Sequence, residues 1–312
     1  MKIVMSINSL LHMPNNSQLT SHIFSHTSIL SEFPPMALSL SASFATLALI
    51  SLALLNPCIA FKPKKLMNYS SDYSDGLSWL SGSATWYGAP TGAGPDDNGG
   101  GCGFKNVNLP PFNSLTSCGN TAIFKGGKGC GSCYQVKCTG HPACSGNPST
   151  IVVTDECLYG ICSDANYHFD MSGTTFGSMA TPGQEDALRH AGRMAIHFAR
   201  VPCNYQGLNV AFHVEEGSNP MYLAILVEYA NGDGDLSLVE VLENTPGATW
   251  TPLRQSWGAI WRLDSSHALQ GPFSVRLTTL TSGKTLVAEN VIPADYVPNT
   301  VYQSAVQFSP VL

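Results

Sequence analysis

Charged side chains are scarce in this chain, since only 12% of its residues are Asp, Glu, Lys or Arg. Glycine and proline are frequent by contrast, with 29 and 20 residues. Few charges combined with many turn-forming residues favour a β-rich protein with numerous loops. Beyond residue 60 no apolar run is long enough to cross a bilayer, so we expect no transmembrane segment in the mature chain.

Cysteine is absent after residue 203, and nine of the ten cysteines lie between Cys102 and Cys203. In a secreted chain this density predicts disulfides, and the odd count leaves one thiol without a partner in the same chain. The Cys130-x-x-Cys133 spacing also occurs in zinc sites. No second such pair and no His pair at zinc-finger spacing accompanies it, so we expect no metal and no cofactor.

The N-terminal region carries a short apolar run over residues 37–55, followed by the small-residue end Cys58-Ile59-Ala60. This pattern predicts a secretory signal peptide over residues 36–60, with Met36 as the start and residues 1–35 as a gene-model extension or leader. A membrane anchor is the alternative, which the shortness of the run and its serines disfavour. Residues 61–80 are polar and predict a flexible leader with a glycosylation sequon at Asn68.

Two regions of different composition follow the leader. Residues 81–205 contain the nine clustered cysteines. Their alternating runs, such as 149–154, predict short strands, and residues 183–198 predict one helix. Residues 210–306 alternate apolar and polar residues and predict a β-sandwich. Its predicted strands cover 211–214, 222–229, 236–242, 259–263, 273–280 and 285–291. Asn231-Gly232 and Ser282-Gly283 are predicted hairpin turns.

Two short motifs combine polar and aromatic residues, Thr85-Trp86-Tyr87-Gly88 and Tyr167-His168-Phe169-Asp170. In a strand, residues two apart project to the same face, so Thr85 would lie beside Tyr87, and His168 beside Asp170. Hydroxyls, an imidazole and a carboxylate on shared faces indicate a groove for sugars.

Several further motifs resemble the plant expansins, specifically the β-expansins. They are the two motifs above together with Gly92 to Gly100, Cys102 to Val107, Lys128 to Tyr134 and Ser256 to Trp261. The resemblance implies an all-β protein of two domains, a six-stranded double-psi β-barrel related to family-45 endoglucanases and an immunoglobulin-like β-sandwich that binds polysaccharide. It also implies an activity that loosens cell walls without detectable glycan hydrolysis. We further expect a secreted cell-wall protein that is a monomer and has no nucleic acid partner.

The resemblance also implies roles in the groove. Asp170 matches the general acid of the related hydrolases, and Asp155 matches a second carboxylate in the groove. A further carboxylate at the groove edge is matched by Asp97 rather than by its neighbour Asp96. Thr85, Tyr87 and His168 complete this set, with His168 orienting the sugar or tuning the acid. The base that hydrolysis requires is absent from the family. From the residues alone, Asp170 could equally cap a turn.

Aromatic rings stack on the apolar faces of sugars, and Trp86, Tyr222 and Trp257 are the expected platforms. Trp261 and Trp250 are the alternatives to Trp257, since one of these three tryptophans is needed to fill the sandwich core. On a single strand Trp257 and Trp261 would share a face, unless a bend or bulge separates them.

The resemblance implies the disulfides Cys102–Cys130, Cys133–Cys203 and Cys138–Cys144. We add Cys157–Cys162, because four residues separate the two cysteines and Gly160 permits a tight loop. Cys118 is then the unpaired thiol.

The region 210–306 has four basic and ten acidic residues, which disfavours polyanionic polymers and leaves cellulose, xylan or mixed glucans as partners. The leading hypothesis is a non-hydrolytic wall-loosening protein. An active endoglucanase of the same fold is the alternative, and a pure carbohydrate-binding or signalling protein is a third.

Overall fold

The computed structural model describes residues 76–94 and 100–310 of the chain, which belong to one compact unit. The predicted signal peptide over 36–60, the sequon at Asn68 and the groove-edge residue Asp97 lie outside the described residues. Within the described ranges, no helix is long and apolar enough to span a membrane.

The first region is a closed six-stranded barrel, as predicted. Its strands are β1 (Leu80–Tyr87), β2 (Thr116–Gly119), β3 (Cys133–Cys138), β4 (Ser149–Glu156), β5 (His168–Ser172) and β6 (Met194–Val201). They close in the order β1-β5-β2-β4-β3-β6, with β1 parallel to β5, β2 parallel to β4, and the other neighbours antiparallel. Short helices α1 (Thr121–Phe124), α2 (Gly173–Ser178) and α3 (Glu185–His190) lie in the connections.

One face of β5 is apolar and the other is polar. Phe169 and Met171 are fully buried in the barrel core, where the Phe169 ring contacts the rings of Tyr134 and Phe198. Because side chains alternate along a strand, His168 and Asp170 lie on the opposite face. Core packing therefore determines which side of the barrel receives the polar residues.

The second region is a sandwich of two antiparallel sheets, as predicted. Its strands are β7 (Ala211–Val214), β8 (Tyr222–Glu228), β9 (Leu236–Leu242), β10 (Thr251–Pro252), β11 (Arg254–Trp257), β12 (Ile260–Asp264), β13 (Phe273–Thr279), β14 (Thr285–Ile292) and β15 (Thr300–Gln303). One sheet has the order β10-β9-β13-β14 and the other β11-β12-β8-β7-β15. Apolar side chains such as Phe212, Ile225 and Phe273 fill the space between the sheets.

The predicted helix over 183–198 was wrong in its second half. Helix α3 ends at His190, and Gly192 then adopts a positive φ of 71°, which glycine tolerates at no steric cost. The following residues form β6, which closes the barrel by pairing with both β1 and β3. Pairing with two strands outweighs a helical periodicity that only Leu188 and three other apolar positions supported.

The two predicted hairpin turns have different outcomes. Ser282-Gly283 lies in the connection between β13 and β14, which pair with each other. Asn231-Gly232 connects β8 to β9, which belong to different sheets, so it is not a hairpin turn. Gly232 instead forms a β-bridge with Cys203 at the end of the barrel.

The structure contains four disulfides, in the pairs stated above, with Cα separations between 5.3 and 5.7 Å. Cys118 is the free cysteine and is buried. The Cys133–Cys203 bridge lies beside the junction of the two regions, and so does an ion pair of 3.0 Å between Arg200 on β6 and Asp235. The ion pair and the β-bridge between Cys203 and Gly232 join the sandwich to the barrel, and the disulfide holds the barrel end from which they start.

Candidate functional site

Four residues form one row across adjacent strands of the barrel. The registers place Thr85 of β1 beside Asp170 of β5, Asp170 beside Cys118 of β2, and Cys118 beside Asp155 of β4. The row thus joins three of the predicted groove residues. Cys118 was missed as a member of it. Its only sequence signal was the lack of a disulfide partner, which says nothing about its neighbours.

A chain of hydrogen bonds leads to Asp170 from the interior. Thr85 donates its hydroxyl proton to Asp170 Oδ1 at 2.6 Å, so the Thr85 oxygen must accept from His168 Nε2 at 2.9 Å. The Nδ1 atom of the neutral ring then accepts from the Ser83 hydroxyl at 2.7 Å. All four bonded groups lie on the paired strands β1 and β5, where Ser83 is opposite His168.

His168 is fully buried and supports Asp170 through Thr85 rather than facing a ligand. Burial lowers the pKa of His168 below its ordinary value, although the negative charge of Asp170 acts in the opposite direction. The ring therefore remains neutral more readily than an exposed histidine. Of the two roles expected for His168, this geometry favours tuning the acid.

Asp170 is half-buried, and burial raises the pKa of its carboxyl above the ordinary value. The hydrogen bond from Thr85 and the electrostatic interaction with His168 lower this pKa, whereas the charge of Asp155 raises it. A carboxyl with a raised pKa keeps its proton to higher pH and can donate a hydrogen bond to a sugar oxygen.

Cys118 and Tyr87 are neutral neighbours of the two carboxylates. Burial raises the pKa of the Cys118 thiol, and the charges of Asp155 and Asp170 raise it further. Burial also raises the pKa of Tyr87, whose hydroxyl has no hydrogen bond of normal geometry with a described residue. The group between the two carboxylates is therefore a thiol that stays protonated at neutral pH.

Asp155 anchors the loop at its end of the row. Its Oδ1 accepts hydrogen bonds from the backbone N–H groups of Gly101 and of Glu156, the latter at 2.7 Å. The same loop contacts the sandwich, where Ala259 donates its backbone N–H to the carbonyl of Cys102 at 2.9 Å. The loop that holds Asp155 therefore also positions the turn between β11 and β12.

Trp257 lies at this turn, next to the Asp155 end of the row. A Cβ at Gly103 would meet Ile260 at 2.9 Å and one ring atom of Trp257 at 3.3 Å, and a Cβ at Gly258 would collide with the carbonyl of Gly101. Both glycines are therefore needed for the close approach of turn and loop. The polar row of the barrel thus continues onto an aromatic ring of the sandwich.

The three tryptophans of the sandwich occupy distinct environments. Trp257 is 49% exposed, whereas Trp261 is 5% exposed in the sandwich core. They lie on different strands, β11 and β12, so the same-face expectation for a single strand does not apply. Trp250 is covered by the guanidinium of Arg276, 4.5 Å from its ring centroid.

Tyr222 lies on the same sheet face as Trp257. It is opposite Asp264, and Trp257 is opposite Ile260, with Ile260 and Asp264 on one face of β12. Tyr222 is half-buried. The two predicted platforms thus flank one sheet surface.

Trp86 lies away from the row. It is opposite Met171 of the barrel core, is half-buried, and donates its indole N–H to the carbonyl of Arg189 at 3.0 Å. The alternation along β1 that brings Thr85 to the row turns Trp86 to the other face. This geometry does not bring Trp86 together with the other predicted groove residues, so it does not support the platform role.

No group of His, Cys, Asp and Glu side chains in residues 76–94 and 100–310 has an arrangement that could hold a metal ion. Within the row, Asp170 Oδ1 accepts from the Thr85 hydroxyl and Asp155 Oδ1 accepts from backbone N–H groups.

Comparison with known families matches both regions. A family model described as Expansin C-terminal domain matches residues 210–293, and one described as Lytic transglycolase matches residues 116–198. Expansin-B7 of Oryza sativa subsp. japonica is 63% identical over 74% of this chain and 72% of its own length. Expansin-B3 of the same organism is 57% identical, over 88% of this chain and all of its own. Expansin-B1 of Zea mays is 53% identical, over 77% and 87%.

Two solved structures share the fold. The apo form of an expansin from Clavibacter michiganensis has a TM-score of 0.57 and 23% sequence identity, covering 75% of this chain and all of that one. A mutant of the same bacterial expansin, solved in complex with cellohexaose, has a TM-score of 0.57 and 22% identity with the same coverage.

Proposed function

The chain belongs to the expansin family, in its β group, and we propose that it loosens plant cell walls by binding polysaccharide chains without hydrolysing them. The observation that supports the proposal is that the Asp155 end of the Thr85–Asp170–Cys118–Asp155 row contacts, through Gly101, the turn that carries the exposed Trp257. A surface that crosses from the barrel to the sandwich suits a long polymer better than a small molecule.

The chemistry of this surface suits neutral glycans. Hydroxyl and carboxyl groups of Thr85 and Asp170 pair with sugar hydroxyls, and the rings of Trp257 and Tyr222 offer flat apolar faces to sugar rings. The excess of acidic residues in the region 210–306 disfavours pectin-like polyanions. We therefore assign cellulose, xylan or mixed glucans as the target, in accordance with the cellohexaose bound to the bacterial expansin mutant.

The proposed absence of hydrolysis is supported by how the two carboxylates are used. Inverting hydrolysis needs one carboxyl to donate a proton and a second, across the bond, to activate water. Asp155 already accepts two backbone N–H groups with one oxygen and holds the loop to the sandwich. A carboxylate with this structural role is poorly placed to take a proton from water, so Asp170 remains an acid without a base.

Loosening in this scheme is a competition between hydrogen bonds. Asp170 and Thr85 bond to hydroxyls that otherwise join neighbouring glycan chains, while the aromatic platforms hold the chain in place. The anchored junction of barrel and sandwich keeps both surfaces in one orientation. Binding then favours a chain conformation separated from its neighbours, and no covalent bond changes.

We further propose that the protein is secreted into the cell wall as a monomer, with the signal peptide over 36–60 and glycosylation at Asn68. The four disulfides support an oxidising compartment. The boundaries proposed for the two domains are 81–205 and 210–306.

An active endoglucanase is the second candidate, and one observation favours it. Asp155 and Asp170 are separated by a single strand, so their backbones are about 10 Å apart at the usual strand spacing. Inverting hydrolases have carboxyl groups about 6.5–9.5 Å apart, which side chains of this row could reach.

The deciding experiment measures extension and hydrolysis together. Heat-killed walls under constant load are treated with the purified protein, and released reducing sugar is assayed in the same bath. We expect sustained extension with no sugar above the buffer control. Sugar release that rises with extension would establish the endoglucanase instead, and binding without extension would leave a pure carbohydrate-binding protein.

A further inference from the structure

The loop between β4 and β5 exposes three large apolar side chains within one small disulfide ring. Cys157 and Cys162 close the ring, and Leu158, Tyr159 and Ile161 are 44%, 84% and 37% exposed. Tyr159 is the most exposed of the large hydrophobic side chains in the part of the chain that the structure describes. None of the roles described above uses these residues.

This ring is held firmly to the barrel. Cys157 donates its backbone N–H to Gly119, and the side-chain amide of Asn120 donates to the carbonyls of Ala165 at 3.1 Å and Asn166 at 3.3 Å. Cys162 donates its N–H to the carbonyl of Tyr159 at 3.3 Å. A short, bridged and anchored loop loses little conformational freedom when a ligand contacts it, so its side chains are pre-organised.

The topology places the loop along one side of the polar row. β2 lies between β4 and β5, so the connection from β4 to β5 must pass the end of β2. Gly119 and Asn120, its anchors, follow Cys118 of the row directly in sequence. At the rise of a strand, the three residues from Asp155 to the loop at Leu158 correspond to about 10 Å.

From this placement we infer that Tyr159 is an additional sugar-stacking platform at the edge of the groove, flanked by Leu158 and Ile161. Its ligand is the same neutral β-linked glycan chain, so the inference rests on the proposed function and deepens it. The polymer would contact the row through its hydroxyls and the Tyr159 ring through the apolar face of a sugar.

A polysaccharide is favoured over a second copy of this chain because of continuity and size. The ring adjoins the row that we assign to glycan binding, and its apolar surface is confined to three side chains of one loop. Stable protein interfaces bury about 800 Å² on each partner, which such a loop alone does not supply. A single flat ring, by contrast, matches one sugar face.

The test compares Tyr159→Ala and Tyr159→Phe with the wild type in the full secreted chain. Titration calorimetry with cellohexaose and xylohexaose gives affinities, and depletion assays measure binding to insoluble cellulose and xylan. We expect Tyr159→Ala to weaken binding to at least one of these ligands by about three- to tenfold, and Tyr159→Phe to remain close to the wild type. Val297→Ala, which removes an apolar side chain that is 59% exposed on the sandwich, is the control and should change nothing.

Three outcomes would contradict the Tyr159 platform or the proposed function on which it rests. Wild-type affinity for every ligand in the Tyr159→Ala variant, with binding intact in the wild type, would overturn the platform. A change of sedimentation coefficient in that variant with unchanged affinities would assign Tyr159 to self-association and overturn it also. Failure of the wild type to bind any of the four ligands would overturn the proposed function itself, and the platform with it.

Discussion

The barrel and the sandwich are stabilised by different means and contribute different chemistry. All four disulfides lie in the barrel or at its end, whereas residues 210–306 contain no cysteine. The barrel contributes a row of polar groups in which Thr85, Asp155 and Asp170 are half-buried and Cys118 is buried. The corresponding surface of the sandwich offers the rings of Trp257 and Tyr222.

This difference shows how a polar groove is accommodated. Holding Asp170 half-buried near Asp155 costs free energy, because burial penalises the charge of Asp170 and the charge of Asp155 repels it. The four disulfides stabilise the barrel against unfolding, and we expect them to offset that cost. The sandwich, whose core is filled by apolar side chains, needs no such cross-links and can present its aromatic rings on an outer face.

The largest expected effect is in the row itself. We expect Asp170→Asn to reduce wall extension by about ten- to hundredfold, because the variant loses a charge-assisted hydrogen-bonding and proton-donating group. Melting temperature and binding by the sandwich should remain near wild type, since an amide can still accept the Thr85 hydroxyl proton.

Extension and melting temperature are measured on the same sample, with Asp295→Asn on the exposed surface of the sandwich as control. Full extension by a normally folded Asp170→Asn variant would contradict the role assigned to this carboxyl. Loss of extension that tracks the folded fraction would indicate that Asp170 only caps a turn.

Removing single disulfides tests whether cross-links stabilise the barrel more than the sandwich. The Cys133–Cys203 bridge spans a sequence separation of 70 residues and the Cys157–Cys162 bridge one of 5. Chain entropy predicts that alanine pairs at these positions cost about 4 and about 2 kcal/mol in the free energy of unfolding.

Urea unfolding gives both values, and hydrogen exchange locates the loss. Barrel strands should lose protection first while β8, β9 and β13 keep theirs. Equal loss of protection in both regions would show that the cross-links stabilise the whole chain rather than the groove.

A third prediction concerns a buried acid of the sandwich. Burial, together with the charge of Glu215, raises the pKa of Glu228 from 4.5 to about 7. Since the native pKa exceeds the unfolded one, this contribution is fully present below about pH 4.5 and is lost as the pH rises through about 7. The loss amounts to about 3 kcal/mol, and Glu228→Gln should abolish it.

Free energies of unfolding measured between pH 4 and pH 8 test this, with Glu216→Gln on the surface as control. If the pH dependence of Glu228→Gln equals that of the wild type, Glu228 is ionised in the native state despite its burial.

The smallest expected effect is at the aromatic platform. Trp257→Ala should weaken binding to insoluble cellulose by about 1 kcal/mol, or about fivefold, with little change in stability because the ring is half exposed. Depletion isotherms measure it, and Val301→Ala on the same sheet is the control. An unchanged isotherm would confine glycan binding to the barrel.

Local patterns in the sequence predicted most of the sandwich. All six predicted strands exist with ends within one residue of those expected, because alternation of apolar and polar residues is a local property. The strands that were missed, β10, β11 and β15, are only two to four residues long and lie at sheet edges, where little burial marks them. In the barrel, β6 was assigned to a helix because its pairing partners are distant in sequence.

The sequence by itself determined which residues have the chemistry of the groove, since Thr85, Asp170 and Asp155 stand in recognisable motifs. Only the tertiary structure decided that Cys118 lies between the two carboxylates, because strand registers bring together residues from four separate segments. It also turned Trp86 away from the row, buried Trp261 and exposed Trp257. Residue type limits the possible chemistry, whereas the side on which a residue acts depends on long-range pairing that short-range periodicity does not encode.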